Sequence, residues 1–198
     1  MASDPSLADT TAEGVALTAP GAPTVFSSGP SVAHLRVPLK TYLETSKLHG
    51  AIVGTYVFDK AGRVLLVQRA AHDSMPHRWE IPGGGVDRED ESILHAALRE
   101  LWEEAGLRAH SIKGLVGPGY HFLSPRGSPY CKFSFIVEVE DYNVKLDPNE
   151  HQAFLWVTEE EAAIKKCGDV EFSYTTRNQE ASMREAFKIY KQVNGAQI

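Results

Sequence analysis

The stretch from Gly83-Gly84-Gly85 into a glutamate-bearing helical run constrains this chain more than any other. Consecutive glycines permit positive φ and close backbone approach. Downstream, Asp90 reads as an N-cap, Glu91 suits the positive end of a helix dipole and Gly106 suits the stop, so a helix is predicted from Glu91 to Ala105. At 100° per residue Leu94, Ala97, Leu98, Leu101 and Ala105 form one apolar stripe facing a core. Glu100, Glu103 and Glu104 fall together on the opposite side, which is expected to face solvent. Like charges at this spacing cost a few tenths of a kcal/mol per pair, on the order of 0.3. A divalent cation removes that penalty. Magnesium or manganese takes hard oxygen ligands and joins carboxylates to substrate phosphates. Three such glutamates alone read as a solvated helix face; their register against the glycines changes that reading.

Gly85, five residues, Glu91, seven residues, Arg99-Glu100-Leu101, one residue, Glu103-Glu104, one residue and Gly106-Leu107 resemble the signature of the Nudix hydrolases at every fixed position. The box covers 23 residues, Gly85 to Leu107. Looser similarity runs from about His49 to Ala163: Gln68-Arg69-Ala70-Ala71, the approach Trp79-Glu80-Ile81-Pro82 and the later Trp156-Val157-Thr158.

The resemblance implies a Nudix-like α/β/α sandwich, with a mixed β-sheet flanked by helices. It implies Mg2+-dependent (or Mn2+-dependent) hydrolysis of a diphosphate bond in a nucleoside diphosphate-X or nucleoside triphosphate. Carried over by position, Glu103 and Glu104 are metal ligands together with the Gly84 carbonyl; Glu100 is a third ligand or the general base. Arg99 orients the glutamates through charge-assisted hydrogen bonds, and Glu91 supports the loop or a water of the metal site. Some relatives recruit the base from a loop outside the box, and Glu150, in Asp147-Pro148-Asn149-Glu150-His151, is a candidate of that kind. Phosphate contacts are expected from Arg69 first, then Arg78 and Arg126. His121 and His151 border the same region, and Trp79 is expected in the core. No HxxxH or HExxH pairing speaks for zinc.

Two other readings stay open. One is a diphosphatase acting on a non-nucleotide, an isoprenoid diphosphate or an inositol pyrophosphate. The other is a non-catalytic nucleotide-sensing module, although such proteins typically lose box glutamates and this chain keeps all three.

Elsewhere, residues 1–30 are rich in Ala, Ser, Thr, Pro and Gly and are expected as a flexible tail before a single domain over 31–198 that includes a C-terminal helix. The Ser31–Ser46 segment reads as an edge strand. GAIVGTYVFD and RVLLVQR, joined by Lys60-Ala61-Gly62, read as a hairpin. HSIKGLVGPGYHFLS and YCKFSFIVEVED read as a second hairpin across Pro125–Pro129, and HQAFLWV as a further strand. Thr158 with Glu161 makes a capping box, and QEASMREAFKIYKQV carries helical periodicity with a Lys-rich end. Cys131 and Cys167 lack metal-type spacing and are expected reduced.

With 20 Lys+Arg against 26 Asp+Glu, net charge -6, the expected partner is a small phosphorylated molecule and neither nucleic acid nor membrane. No leader or spanning run is read at the start, so the expected location is cytoplasmic. A homodimer through the Ser31–Ser46 segment or the last helix is a possible assembly.

Overall fold

The computed structural model describes residues 21–195. In chain order the elements are β1 (Ser27–Ser28), a 3-10 helix (Pro30–Leu35), α1 (Leu39–Ser46), β2 (Gly50–Val57), β3 (Val64–Arg69), β4 (Trp79–Glu80), α2 (Ile93–Ala105), β5 (Ala109–Leu115), β6 (Tyr120–Leu123), β7 (Pro129–Val139), β8 (His151–Val157), α3 (Glu159–Ile164), β9 (Lys166–Cys167), β10 (Val170–Glu171) and α4 (Arg177–Gly195).

One mixed sheet runs β1-β5-β7-β2, with β6 pairing the far part of β7; a second runs β4-β3-β8. β2 lies parallel to β7 from Gly50↔Tyr130 to Val57↔Val137, while β5 and β6 lie antiparallel to β7. A parallel strand covered on both faces needs a near-continuous apolar run, which GAIVGTYV supplies. Side chains from the sheets divide between two cores. Val53, Leu65, Val67 and Phe135 pack with Leu94, Leu98 and Leu101 of α2, whereas Tyr56, Val64, Leu66 and Ile136 pack with Met183, Ala186 and Phe187 of α4. Helices on both sides of the sheets make the expected α/β/α arrangement.

Several local expectations change. β2 and β3 do flank a tight turn, with Asp59 N–H donating to the Arg63 carbonyl at 2.8 Å. They are not ladder partners beyond the bridge Phe58↔Val64, because β2 has β7 on one edge and the Pro82–Val86 segment on the other. β3 therefore joins β8. The Ser31–Ser46 segment is helical, not an edge strand: Pro30 starts the 3-10 helix, and Val32, Leu35 and Leu39 enter the first core. The same residues are spent inside the chain, as is the inner face of α4. The packed fold also begins earlier than residue 31. Phe26 is 6% exposed, its ring 5.0 Å from that of His95, and Ser27–Ser28 pair with Ser111–Ile112 of β5. The rest of the expected tail, 1–20, lies outside the described residues. The second hairpin (β6 and β7) and the capping box at Thr158 appear as expected, and both cysteines are free. The C-terminal helix runs on to Gly195, so its lysines do not form the last turn. Among the described residues no helix is long and apolar enough to cross a membrane.

Candidate active site

The glycine turn is held as an extra strand along β2. Val53 N–H donates to the Gly84 carbonyl at 2.9 Å, Thr55 N–H to Pro82 at 2.8 Å and Val86 N–H to Ala51 at 3.0 Å. Gly83 sits at φ 150°, and a Cβ there would lie 2.1 Å from the Val53 carbonyl oxygen, so this approach requires glycine. A Cβ on Gly84 would meet the Glu100 carboxylate at 2.7–2.9 Å. Gly83 thus lets the turn lie against β2, and Gly84 leaves the space that the Glu100 carboxylate fills. The Gly84 carbonyl, expected to face a metal, has one lone pair engaged by Val53.

α2 starts at Ile93, two residues later than expected. Ser92 is the N-cap, its hydroxyl accepting from His95 N–H, and Gly106 closes the helix at φ 65°. Asp90 has another task. Its two carboxylate oxygens accept from Arg99 Nε and Nη2, each at 2.9 Å, and Arg99 also reaches Glu100 at 2.9 Å, Glu103 at 2.8 Å and the Gly85 carbonyl at 3.0 Å. One guanidinium therefore ties the loop after the glycines to two helix carboxylates. Five charge-assisted contacts keep Arg99 charged and its neighbours in place.

The apolar stripe is buried as predicted, but the acidic side does not face open water. Glu104 is 4% exposed and Glu100 is 8% exposed; Glu103 alone lies at the surface. The glycine turn and the segment before β8 cover that side of α2: Gly83 N–H donates to Glu104 Oε2 at 2.6 Å, and Asp147 N–H approaches the Glu104 carbonyl. Burial pushes the Glu100 carboxyl up to about 7 against the pull of Arg99, and burial raises Glu104 as well, with Glu100 and Glu150 adding to the effect.

A second segment completes the cluster. Glu150 and His151, at the start of β8, bring donor atoms within 4.8 Å of one another and of Glu104. His151 is 2% exposed, and neither ring nitrogen has a hydrogen-bond partner; its Nε2 lies 3.7 Å from Glu80 Oε1. A buried unpaired imidazole beside two carboxylates, one of them raised by burial, is costly as it stands. A cation between them would relieve both, and carboxylate oxygens suit Mg2+ or Mn2+. The donor set fits such an ion.

The basic residues fall elsewhere than expected. Arg69 is engaged by Glu80, Asp73 and the Ser74 carbonyl, so it braces the site's wall before any ligand arrives. Arg78 lines a separate cavity of about 660 Å3 with Lys165, Lys166 and Phe172, which none of the carboxylates of α2 enters. Arg126 is exposed in the turn between β6 and β7, and His121 is exposed on β6. Glu91 is exposed, its carboxylate 3.4 Å from His95 Nε2. Trp79 is in the second core, as expected.

Two groups escaped sequence reasoning. Glu80, buried on β4, is held below the usual carboxylate range: burial pushes it up, but His151 and Arg69 pull it further down. Lys132, in the middle of β7, has its amine pushed down by burial while Glu80 and Glu104 draw it up. The alternation Tyr130, Lys132, Ser134 within a long strand was the available cue, because a lysine inside a strand covered on both faces must find carboxylates. What it faces depends on the second sheet.

A family model described as NUDIX domain matches residues 48–176. The chain is 32% identical over 120 residues to an RNA pyrophosphohydrolase of Bartonella henselae, covering 51% of this chain and 69% of that protein. It is 34% identical over 106 residues to a CTP pyrophosphohydrolase of Escherichia coli, covering 54% and 74%. A crystal structure of a MutT protein from Methanosarcina mazei has the same fold, with TM-score 0.53 at 24% identity, covering 73% of this chain and 94% of that one.

Proposed function

This chain belongs to the Nudix family of pyrophosphate-bond hydrolases, and on that premise we propose that it is a divalent-cation-dependent pyrophosphohydrolase of a nucleoside polyphosphate. The observation that carries the reading is the meeting of Glu104 with Glu150 and His151, from a segment over forty residues away, beside the Arg99-held Glu100 and Glu103. Separate parts of the chain gather carboxylates on one spot at a cost in stability, which a cation bound to them and shared with phosphate oxygens would offset.

In this reading Glu104, Glu150 and His151 would hold the cation together with Glu103. The cation, when bound, neutralises charge on the phosphate oxygens. Hydrolysis needs a water aimed at phosphorus and a group to take its proton, with positioning supplying most of the rate. Glu100 is the candidate base: Arg99 fixes its orientation, and in the metal-free fold burial pushes its carboxyl up. Lys132 replaces Arg69 as the cation facing the phosphates, since Arg69 is already bound. The names of the two pyrophosphohydrolase relatives support a nucleotide, free or at an RNA end.

The test is phosphate release, with coupled pyrophosphatase, from nucleoside triphosphates, dinucleoside polyphosphates, ADP-ribose, triphosphorylated RNA, isoprenoid diphosphates and inositol pyrophosphates, with Mg2+ and with EDTA. Glu103→Gln should fold normally, its side chain being at the surface, and should lower kcat by about tenfold to a hundredfold, as loss of one ligand does. Turnover that survives EDTA, or that is unchanged in Glu103→Gln, refutes the assignment.

A further inference from the structure

We propose that the exposed aromatic ladder on β6 and β7, ending at Tyr120, is the platform on which the base of a nucleoside 5′-polyphosphate stacks; this rests on the pyrophosphohydrolase reading for what lies at the other end of the substrate. Tyr120 pairs with Lys132 and Phe122 with Tyr130 across the hairpin, so period two puts all four on one face of the sheet. The rings form a stack. Tyr120 and Phe122 are 5.9 Å apart at 12° and Phe122 and Tyr130 are 5.8 Å apart at 29°, while His49 beyond Tyr130, at 5.6 Å, is tilted by 54° and lies outside the stack. Tyr120 is the end of this series, has Phe122 as its ring partner, and is 51% exposed. An aromatic side chain stacked on one side and half open to water is a surface for one more planar ring.

The face is built to lead to the carboxylates. In β2, glycine stands opposite Tyr130 at Gly50, where a Cβ would lie 2.6 Å from the Tyr130 ring, while at Gly54 a Cβ would meet Ile81 at 2.8 Å and only touch Lys132 Cε at 3.7 Å. Gly50 thus makes room for the tyrosine over β2, and Gly54 for Ile81 beside the lysine. Tyr120, Lys132, Ile52 and Gly85 form one row across neighbouring strands and the glycine turn. Three strand spacings separate its ends, about 14 Å. Lys132 stands between, drawn toward Glu80 and Glu104. A molecule with phosphates on the carboxylates, and extended along this row past Lys132, sets its base against Tyr120. An isoprenoid chain would gain apolar contact but no stacking, and an inositol ring would gain neither.

Binding is measured by equilibrium dialysis with Mg2+ on the full chain carrying Glu103→Gln, to slow turnover, using CTP, GTP, inorganic tripolyphosphate and a 5′-triphosphorylated RNA dinucleotide. Cleavage by the unsubstituted chain is measured in parallel. We expect nucleotides to bind at least about tenfold more tightly than tripolyphosphate, Tyr120→Ala to remove most of that margin, and Tyr120→Trp to retain it. Tripolyphosphate affinity reports that the variant is folded and its phosphate end intact. If the RNA gains over the free nucleotides and loses equally in Tyr120→Ala, the base belongs to an RNA end. Equal affinity for nucleotides and tripolyphosphate overturns the platform, as does equal loss for all ligands, or a change of oligomeric state in Tyr120→Ala without a base-dependent loss. Base-dependent binding without cleavage refutes the hydrolase reading and keeps the platform; metal-dependent cleavage with base-independent binding does the reverse.

Discussion

Gly83 and Gly84 show how single positions set the geometry of this site. Neither contributes a side chain, yet the first lets the turn lie on β2 and the second leaves the space that the Glu100 carboxylate fills. Gly83→Ala should cost at least about 3 kcal/mol, since the Cβ collides with backbone that cannot move without parting the turn from β2. Gly85→Ala, whose Cβ would meet nothing within 4 Å, should cost under about 1 kcal/mol. Urea unfolding of the two variants checks the contrast. Three consecutive glycines are visible in the sequence, but nothing in it distinguishes the one that must be glycine from the one that need not be. What each missing Cβ would meet is set elsewhere, by β2 thirty residues earlier for Gly83 and by Glu100 sixteen residues later for Gly84.

α2 is the element whose own pattern fixed most of its structure. Its five stripe residues are buried and Gly106 ends it in the left-handed conformation, because periodicity and C-capping act within a turn or two of the chain. The start was misread for a reason visible in the contacts. Asp90 and Ser92 are both good caps, and the competition was decided by Arg99, nine residues on, which takes both oxygens of Asp90. Asp90→Asn should therefore loosen the guanidinium more than the helix. We expect a loss of about 2 kcal/mol in urea unfolding and about a tenfold fall in kcat with Mg2+ saturating, whereas Ser92→Ala should cost about 1 kcal/mol and leave kcat within twofold. A stopped assay and the same denaturation curve separate them.

For the molecule as a whole, the two sheets and the segment before β8 create an environment that no single element carries. They bury Glu100 and Glu104 together, and that has a pH signature. Folded Glu100 keeps its proton up to about pH 7, while in the unfolded chain it gives it up near its ordinary value of 4.5. Protonation thus favours the folded state. The stabilisation is complete below the unfolded value and is lost as pH rises through about 7, with Glu104 shifted the same way. Tm in EDTA should fall between about pH 5 and pH 8, and saturating Mg2+ should flatten that fall, because a cation stabilises the ionised carboxylates instead. Differential scanning calorimetry at three pH values, with and without Mg2+, is sufficient. A rise in the metal-free Tm over that range would refute the buried-carboxylate account. The flanks matter at this level too: the 3-10 helix and α1 before the matched region, and α4 after it, each close one core.

Short-range order was legible in the residues: the longer strands β2, β3, β7 and β8, the β6 and β7 hairpin, the Thr158 capping box, the stripe and stop of α2, and the spacing of box glutamates beside a glycine turn. Each depends on neighbours within a few positions, where periodicity, capping and turn chemistry operate. Partnership and burial were not. That β2 lies beside β7 and not β3, that Arg69 is already bound by Glu80 and Asp73, that the Lys132 amine feels Glu80 and Glu104, and that Glu100 and Glu104 are covered all depend on contacts between segments far apart in the chain. A charge's solvation is set by whatever folds over it, and a strand's edge by whichever backbone reaches it first. Neither is written in the local sequence.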